Sequence, residues 1–190
     1  MDNKDKIILH LCAEDGSDSL PYKEAGYDVR LITKKIGVEN YHPLDNIYGI
    51  IANPPCTHFS ITRTTAKTPR DLREGMRLVK ECLRIIWECQ YNFSEKSRKP
   101  SLKFWVIENP ATGFLKWFLG KPVFQYDPVL YGANFHKKTA LWGDFNIPKI
   151  PLLSNPLISG RSLCNITSSG SKKRSECYYP FAKVFYYANQ

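Results

Sequence analysis

Short apolar runs, each cut off by a polar or proline-bearing segment and separated by amphipathic stretches, constrain this chain more than any other feature. They are Ile7-Ile8-Leu9-His10-Leu11, Val29-Arg30-Leu31-Ile32, Ile47-Tyr48-Gly49-Ile50-Ile51, Phe104-Trp105-Val106-Ile107 and Thr139-Ala140-Leu141-Trp142. Runs this short read as buried strands, and strands alternating with helix-length stretches predict an α/β fold with a mostly parallel sheet flanked by helices. None approaches the roughly 20 residues that a bilayer span needs. With 190 residues, no internal repeat and no dividing linker, a single domain is expected over 1–190.

The helical stretches carry their own punctuation. One helix is expected from about Asp18 to Ala25, stopped by Gly26. The clearest runs from Thr68 to about Tyr91, with Thr68 placed to cap, Pro69 at the first helical position and Asp71 in the first turn. Leu72, Met76, Val79, Leu83 and Ile86 mark its buried face by their spacing. Arg73, Arg77, Lys80 and Arg84 form a basic stripe bordered by Glu74, Glu81 and Glu88, either a salt-bridged solvated face or a phosphate-binding one. A short helix is expected around Phe114–Leu119 and a last amphipathic one over Pro180–Ala188. Ile147 to Arg174, rich in Pro, Ser and Gly, reads as irregular surface structure.

The net charge of +9 is unevenly placed: residues 1–59 hold six basic and nine acidic side chains, so all of the positive excess follows them. A basic surface favours a polyanion, most commonly nucleic acid. The mixed-charge start Met1-Asp2-Asn3-Lys4-Asp5-Lys6 fits neither a signal nor a transit peptide, so a soluble, cytoplasmic protein without a membrane partner is expected. The six cysteines, at 12, 56, 82, 89, 164 and 177, form no CxxC pair and read as reduced thiols without structural zinc or other metal.

Ligands of open parallel sheets bind beyond the carboxyl ends of the strands. Three polar segments fall there: Ala13–Ser17, Asn53–Ser60 and Glu108–Pro110. Cys56, after two prolines, is held on a stiff backbone as a nucleophile would be. An isolated cysteine is more often a small buried residue, but Glu108 ends an apolar run, where an acid is costly to bury without a partner or ligand. A structural carboxylate capping a neighbouring backbone is the other reading of Glu108. Together a thiol and a carboxyl suit chemistry in which one adds to an electron-poor ring while the other donates a proton or hydrogen bond.

These residues resemble the DNA cytosine-5 methyltransferase family, especially its short phage- and mobile-element-encoded members. Pro54-Pro55-Cys56 looks like the nucleophile motif, and Glu108-Asn109-Pro110 like the Glu-Asn motif of the following strand. Tyr131-Gly132-Ala133 with Lys137-Lys138-Thr139-Ala140-Leu141-Trp142-Gly143 resembles the segment before the target-recognition region. Leu11-Cys12-Ala13 with Gly16 is similar to the first cofactor loop, and Pro180-Phe181-Ala182 opens what looks like the closing helix.

The resemblance implies a Rossmann-like S-adenosylmethionine-dependent sheet. Residues 1–59 would form the cofactor half and nucleophile loop, and 60–146 the basic helix and Glu-Asn strand. Residues 147–174 would be a reduced recognition region and 175–190 the closing helix. It implies catalysis by Cys56, Pro55, Glu108 and Asn109, with S-adenosylmethionine held by Cys12, Ala13, Glu14, Gly16, Thr33, Asn53 and Pro54. Double-stranded DNA would be contacted by Lys137, Lys138, Thr139, Arg63, Arg73 and Arg77. The cytosine would leave the stack, Cys56 would add to ring carbon 6, and Glu108 would hold the nitrogen 3 and amine edge.

The chain departs from the family pattern at His10, Glu14, Thr33 and Gly37, where an acid, a glycine and two further acids are usual, and at Phe135 and Thr139. With so little chain for recognition, selectivity is expected to be short, relaxed or supplied by another chain. Two alternatives follow: a catalytically silent nucleic-acid-binding relative with an eroded cofactor site, and an exocyclic-amine methyltransferase using Asn53-Pro54-Pro55, in which Cys56 lacks the ring that stacks on the base.

Overall fold

The computed structural model describes residues 2–43, 46–61, 63, 66–91, 101–150, 161–162 and 176–190. Its strands are β1 Ile7–Leu11, β2 Asp28–Ile32, β3 Ile47–Ala52, β4 Phe104–Pro110, β5 Phe124–Tyr126, β6 Phe135–His136, β7 Thr139–Asp144 and β8 Arg161–Ser162. Six of them form one mixed sheet in the order β2-β1-β3-β4-β7-β5, and β6 pairs with β8. The first four strands of that order run parallel, and β7 lies antiparallel to both β4 and β5. The chain is thus a single α/β domain with its sheet flanked by helices.

From β1 the chain steps outward to β2, then returns to the other side of β1 for β3 and β4. The order reverses between β1 and β3, and the crevice outside the carboxyl ends of two such strands is where open α/β sheets take their ligands. Cys12–Gly16 follows one of those ends and Asn53–Cys56 the other.

The two sheet faces are buried differently. Helix α1 spans Leu20–Glu24, α2 Leu72–Tyr91, α3 Lys116–Leu119 and α4 Tyr179–Ala188. On the α2 face Leu9, Leu11, Ile50 and Ile107 pack with Val79, Cys82, Ile85 and Ile86, an almost wholly aliphatic core. On the α4 face Ile8, Ile51, Val106 and Leu141 meet Tyr22, Phe104, Tyr126, Tyr131, Phe181 and Phe185. Tyr126 and Phe181 stack with ring centroids 3.5 Å apart.

Several expectations are corrected. Helix α2 begins at Leu72, capped by Asp71, whose carboxylate accepts the Glu74 N–H at 3.0 Å. Thr68 instead takes a bond from Arg63 (2.7 Å), because His58 Nδ1 accepts the Asp71 N–H and fixes the entry there. Its buried stripe centres on Val79, Cys82, Ile85, Ile86 and Cys89, with Leu72, Met76 and Leu83 at the margin. Residues 17–19 form a 3-10 turn before the short α1. Strand β4 continues to Pro110 rather than stopping at Ile107, since β7 pairs with Glu108, Asn109 and Pro110 after β3 has ended. Most of 147–174, with Cys164, lies outside the described residues.

Candidate active site at the strand ends

The loop after β3 is stiff by sequence. Asn53 N–H donates to Leu11 O at 3.0 Å, Pro54 is buried, and Pro55 and Cys56 are exposed. The carbonyl of Cys56 accepts from both Phe59 N–H (2.9 Å) and Ser60 N–H (2.8 Å), which closes a turn and holds the thiol at the crevice.

Strand alternation divides the Glu-Asn pair between the two faces. Asn109 is buried and turns to the loop, its amide donating to Pro54 O at 2.9 Å while its Oδ1 lacks a hydrogen-bond partner. It ties the end of β4 to the loop that carries Cys56. Glu108 follows Val106 onto the α4 face, where it lines a cavity with Asp18, Ile51, Leu141, Cys177 and Phe181. That cavity measures about 20 Å³, room for a single water and for no larger ligand.

A chain of hydrogen bonds holds Glu108. Fully buried His10 lies between Ser19 Oγ (2.9 Å) and Asn53 Oδ1 (2.8 Å). The amide of Asn53 then donates to Asp18 (3.4 Å) and to Glu108 Oε2 (3.3 Å). With its proton on Nε2, a neutral His10 donates to the Asn53 oxygen and so aims both amide hydrogens at the two carboxylates. Burial depresses the His10 pKa and favours that neutral form, against the nearby charge of Asp18.

Glu108 itself is pushed above the usual carboxylate range, chiefly by burial; Asp18 adds to the shift, while Lys137 and the Asn53 bond oppose it. Burial works against the charge of Lys137, but Glu108, Cys177, Asp18 and Cys56 outweigh it and hold the ammonium above its ordinary value. Lys137 Nζ also donates to Glu176 O at 3.0 Å. Burial raises the Cys177 thiol, and its N–H is anchored on Ser17 Oγ at 2.9 Å.

The expected cofactor residues gather at the ends of β1 and β2. Cys12 (φ 54°) and Gly16 (φ 79°) both take left-handed backbone, giving a sharp loop in which Ala13 is buried and Glu14 lies in solvent. The carbonyl of Thr33 accepts two N–H groups of the following turn, and its half-buried hydroxyl side chain stands at the end of β2. This loop fits backbone contact with a nucleoside-bearing cofactor, with one side-chain hydrogen bond from Thr33. Asn53 is bound into the Glu108 network, and Gly37 only turns the chain.

The expected nucleic-acid residues are scattered. Lys138, Arg73 and Arg77 are exposed, but Arg77 is paired with Glu39 and Glu74, and Arg84 bonds Glu81, Glu88 and the carbonyls of Val38 and Tyr41. That stripe pins α2 to residues 38–41. Thr139 is corrected: it is fully buried, its hydroxyl spent on Lys137 O (2.9 Å), so it shapes the site from beneath. Lys137 is half-buried and feels the charges of Glu108 and Asp18. Sequence reasoning missed Asp18 and Cys177 as neighbours of Glu108, because nothing local signals that the 17–19 turn and the residues just before the last helix meet over the end of β4.

No protein-family model matches the chain, and no curated protein matches it. Among the described residues no helix is long and apolar enough to cross a membrane, and no cluster of His, Cys, Asp and Glu could hold a metal.

Proposed function

We propose that the protein is an S-adenosylmethionine-dependent methyltransferase acting on carbon 5 of a cytosine in DNA. One observation carries this reading: β3 and β4 lie side by side, and Asn53 and Asn109 tie the buried Glu108 end of one to the loop of the other that bears the solvent-facing Cys56 thiol, so a carboxyl and a thiol stand at neighbouring strand ends. A protonated Glu108 donates to ring nitrogen 3, and its other oxygen accepts from the exocyclic amine, which matches one edge of cytosine. The Cys56 thiolate adds to ring carbon 6, electrons pass to carbon 5, and negative charge reaching the nitrogen 3 edge meets the Glu108 proton. Lys137 favours the thiolate and stabilises Glu108 once its proton is shared.

When bound by Cys12–Gly16 and Thr33, the cofactor supplies an electrophilic methyl group. After transfer, loss of the carbon 5 proton to a base lets the electrons return and expel Cys56. Pro55 and Asn109 keep the thiol fixed through these steps, and Lys138 with Arg63 and Arg73 offers charge to phosphates.

Labelled methyl transfer to DNA tests the reading. Product at carbon 5, lost in Cys56→Ala, with a covalent complex on 5-fluorocytosine DNA, is expected. No transfer to DNA or RNA together with no cofactor binding by calorimetry sinks it. The one-water cavity favours a second reading, a binding-only relative; in that case salt-sensitive DNA binding survives while cofactor binding is absent.

A further inference from the structure

Beside the Cys56 turn lies an aromatic surface that the chemistry above does not use. Trp117 is 69% exposed and Phe118 47%, both on α3. The Trp117 ring lies 4.8 Å from Phe114 at a tilt of 32°, and the Arg70 guanidinium sits 4.6 Å from the same Phe114 ring. The surface is fastened to the nucleophile loop. Arg70 donates to His58 O (2.5 Å) and Ser60 O (2.8 Å), Phe114 N–H donates to Phe59 O (3.0 Å), and Phe59 packs against Phe118.

Charge narrows what such a surface can hold. Residues 57–70 and 111–126 together contain five basic side chains, Arg63, Lys67, Arg70, Lys116 and Lys121, and no acidic one. Protein–protein contact cores are depleted in charge, whereas flat aromatic rings among cations match the two parts of a nucleotide, base and phosphate. A duplex hides the faces of its bases, so only an unpaired base can lie on a ring.

We propose that Trp117 and Phe118 form a stacking shelf for an unpaired nucleobase beside the target base, in a strand whose phosphates meet the cations of these two segments. The placement beside the target rests on the function proposed above, but binding at the shelf needs no methyl transfer. A strand that is already open, or opened by the displaced target, is therefore held better than closed duplex.

Fluorescence anisotropy with a labelled oligodeoxythymidylate of about twelve nucleotides tests this in a Cys56→Ala background. Trp117→Ala is expected to weaken binding by about 5- to 150-fold, with the complex weakening further as salt rises. Trp87→Ala removes a ring equally open (65% exposed) in the last two turns of α2, at the opposite end of that helix from His58, and is expected to change nothing. Circular dichroism confirms that both variants fold. Parental affinity in Trp117→Ala, equal loss in Trp87→Ala, or equal affinity for blunt duplex overturns the proposal. So does light scattering that shows a parental dimer dissolved by Trp117→Ala, because the shelf then serves self-association. If methyl transfer is never found but the shelf binds as described, the proposed function falls and the shelf stands.

Discussion

The two faces of the sheet solve the same burial problem in opposite ways. Against α2 the core is mainly aliphatic, with buried thiols, the rings of Phe59 and Trp142 and, at its end, the amide of Asn109; burial lifts the Cys89 thiol to about 12. Against α4 the core is aromatic, and its upper end admits His10, Asn53, Asp18, Glu108 and Cys177. Burial at that end favours the neutral form of Glu108, which is why its pKa is raised. One face is closed by aliphatic packing and the other keeps a polar end.

Substitutions separate the two faces. Phe181→Ala should have the largest effect, costing about 3–5 kcal/mol in urea unfolding, because it removes the ring stacked on Tyr126. It should also open Glu108 to water and lower its midpoint, read from its carboxyl carbon by NMR. Ile85→Ala, fully buried against the other face, should cost about 2–5 kcal/mol yet leave that midpoint where it was. An equal change in both variants would dissolve the distinction between the faces.

Asn53→Ala should cost about 1–3 kcal/mol by leaving His10 without its acceptor and two carboxylates without a shared donor. Its N–H stabilises the charged form of Glu108, so the Glu108 midpoint should rise when it is lost.

The pH dependence sharpens this further. A raised Glu108 means that the native state keeps a proton the unfolded chain has lost. Its contribution is therefore complete below about 4.5 and disappears as pH climbs through the native midpoint. His10 has the opposite sign: its depressed pKa makes stability fall as pH drops below 6.5, where the unfolded chain binds a proton that the native site refuses. Urea midpoints from about pH 4 to pH 8 should lose the first slope in Glu108→Gln and the second in His10→Gln. The smallest effect belongs to the outer surface of α2. Arg77→Ala, a half-exposed pair with Glu39 and Glu74, should leave the urea midpoint unchanged within error.

The sequence shows the strands more fully than the polar cluster at their ends. Ile7–Leu11, Ile47–Ile51 and Phe104–Ile107 announce their strands because continuous apolar runs serve no other purpose in a polar chain. Phe124–Tyr126 does not, since three residues with a glutamine between two rings carry no period. Cys56 and Glu108 are legible from the prolines and apolar run that precede them. Asp18 and Cys177 are not, because their meeting depends on how α4 lies across the sheet. The cap of α2 moved from Thr68 to Asp71 for a similar reason: the decisive acceptor, His58, belongs to the nucleophile loop.

The position of α4 also dictates an order of events during synthesis. Until residues 177–188 have left the ribosome, Ile8, Ile51, Val106 and Leu141 have no cover from Phe181 and Phe185. The nascent chain therefore carries an exposed apolar sheet face through most of its translation, a condition that invites chaperone capture and aggregation. Glu108 meets Cys177 at the same late stage, so the polar end of the crevice and the cover of this face are assembled together.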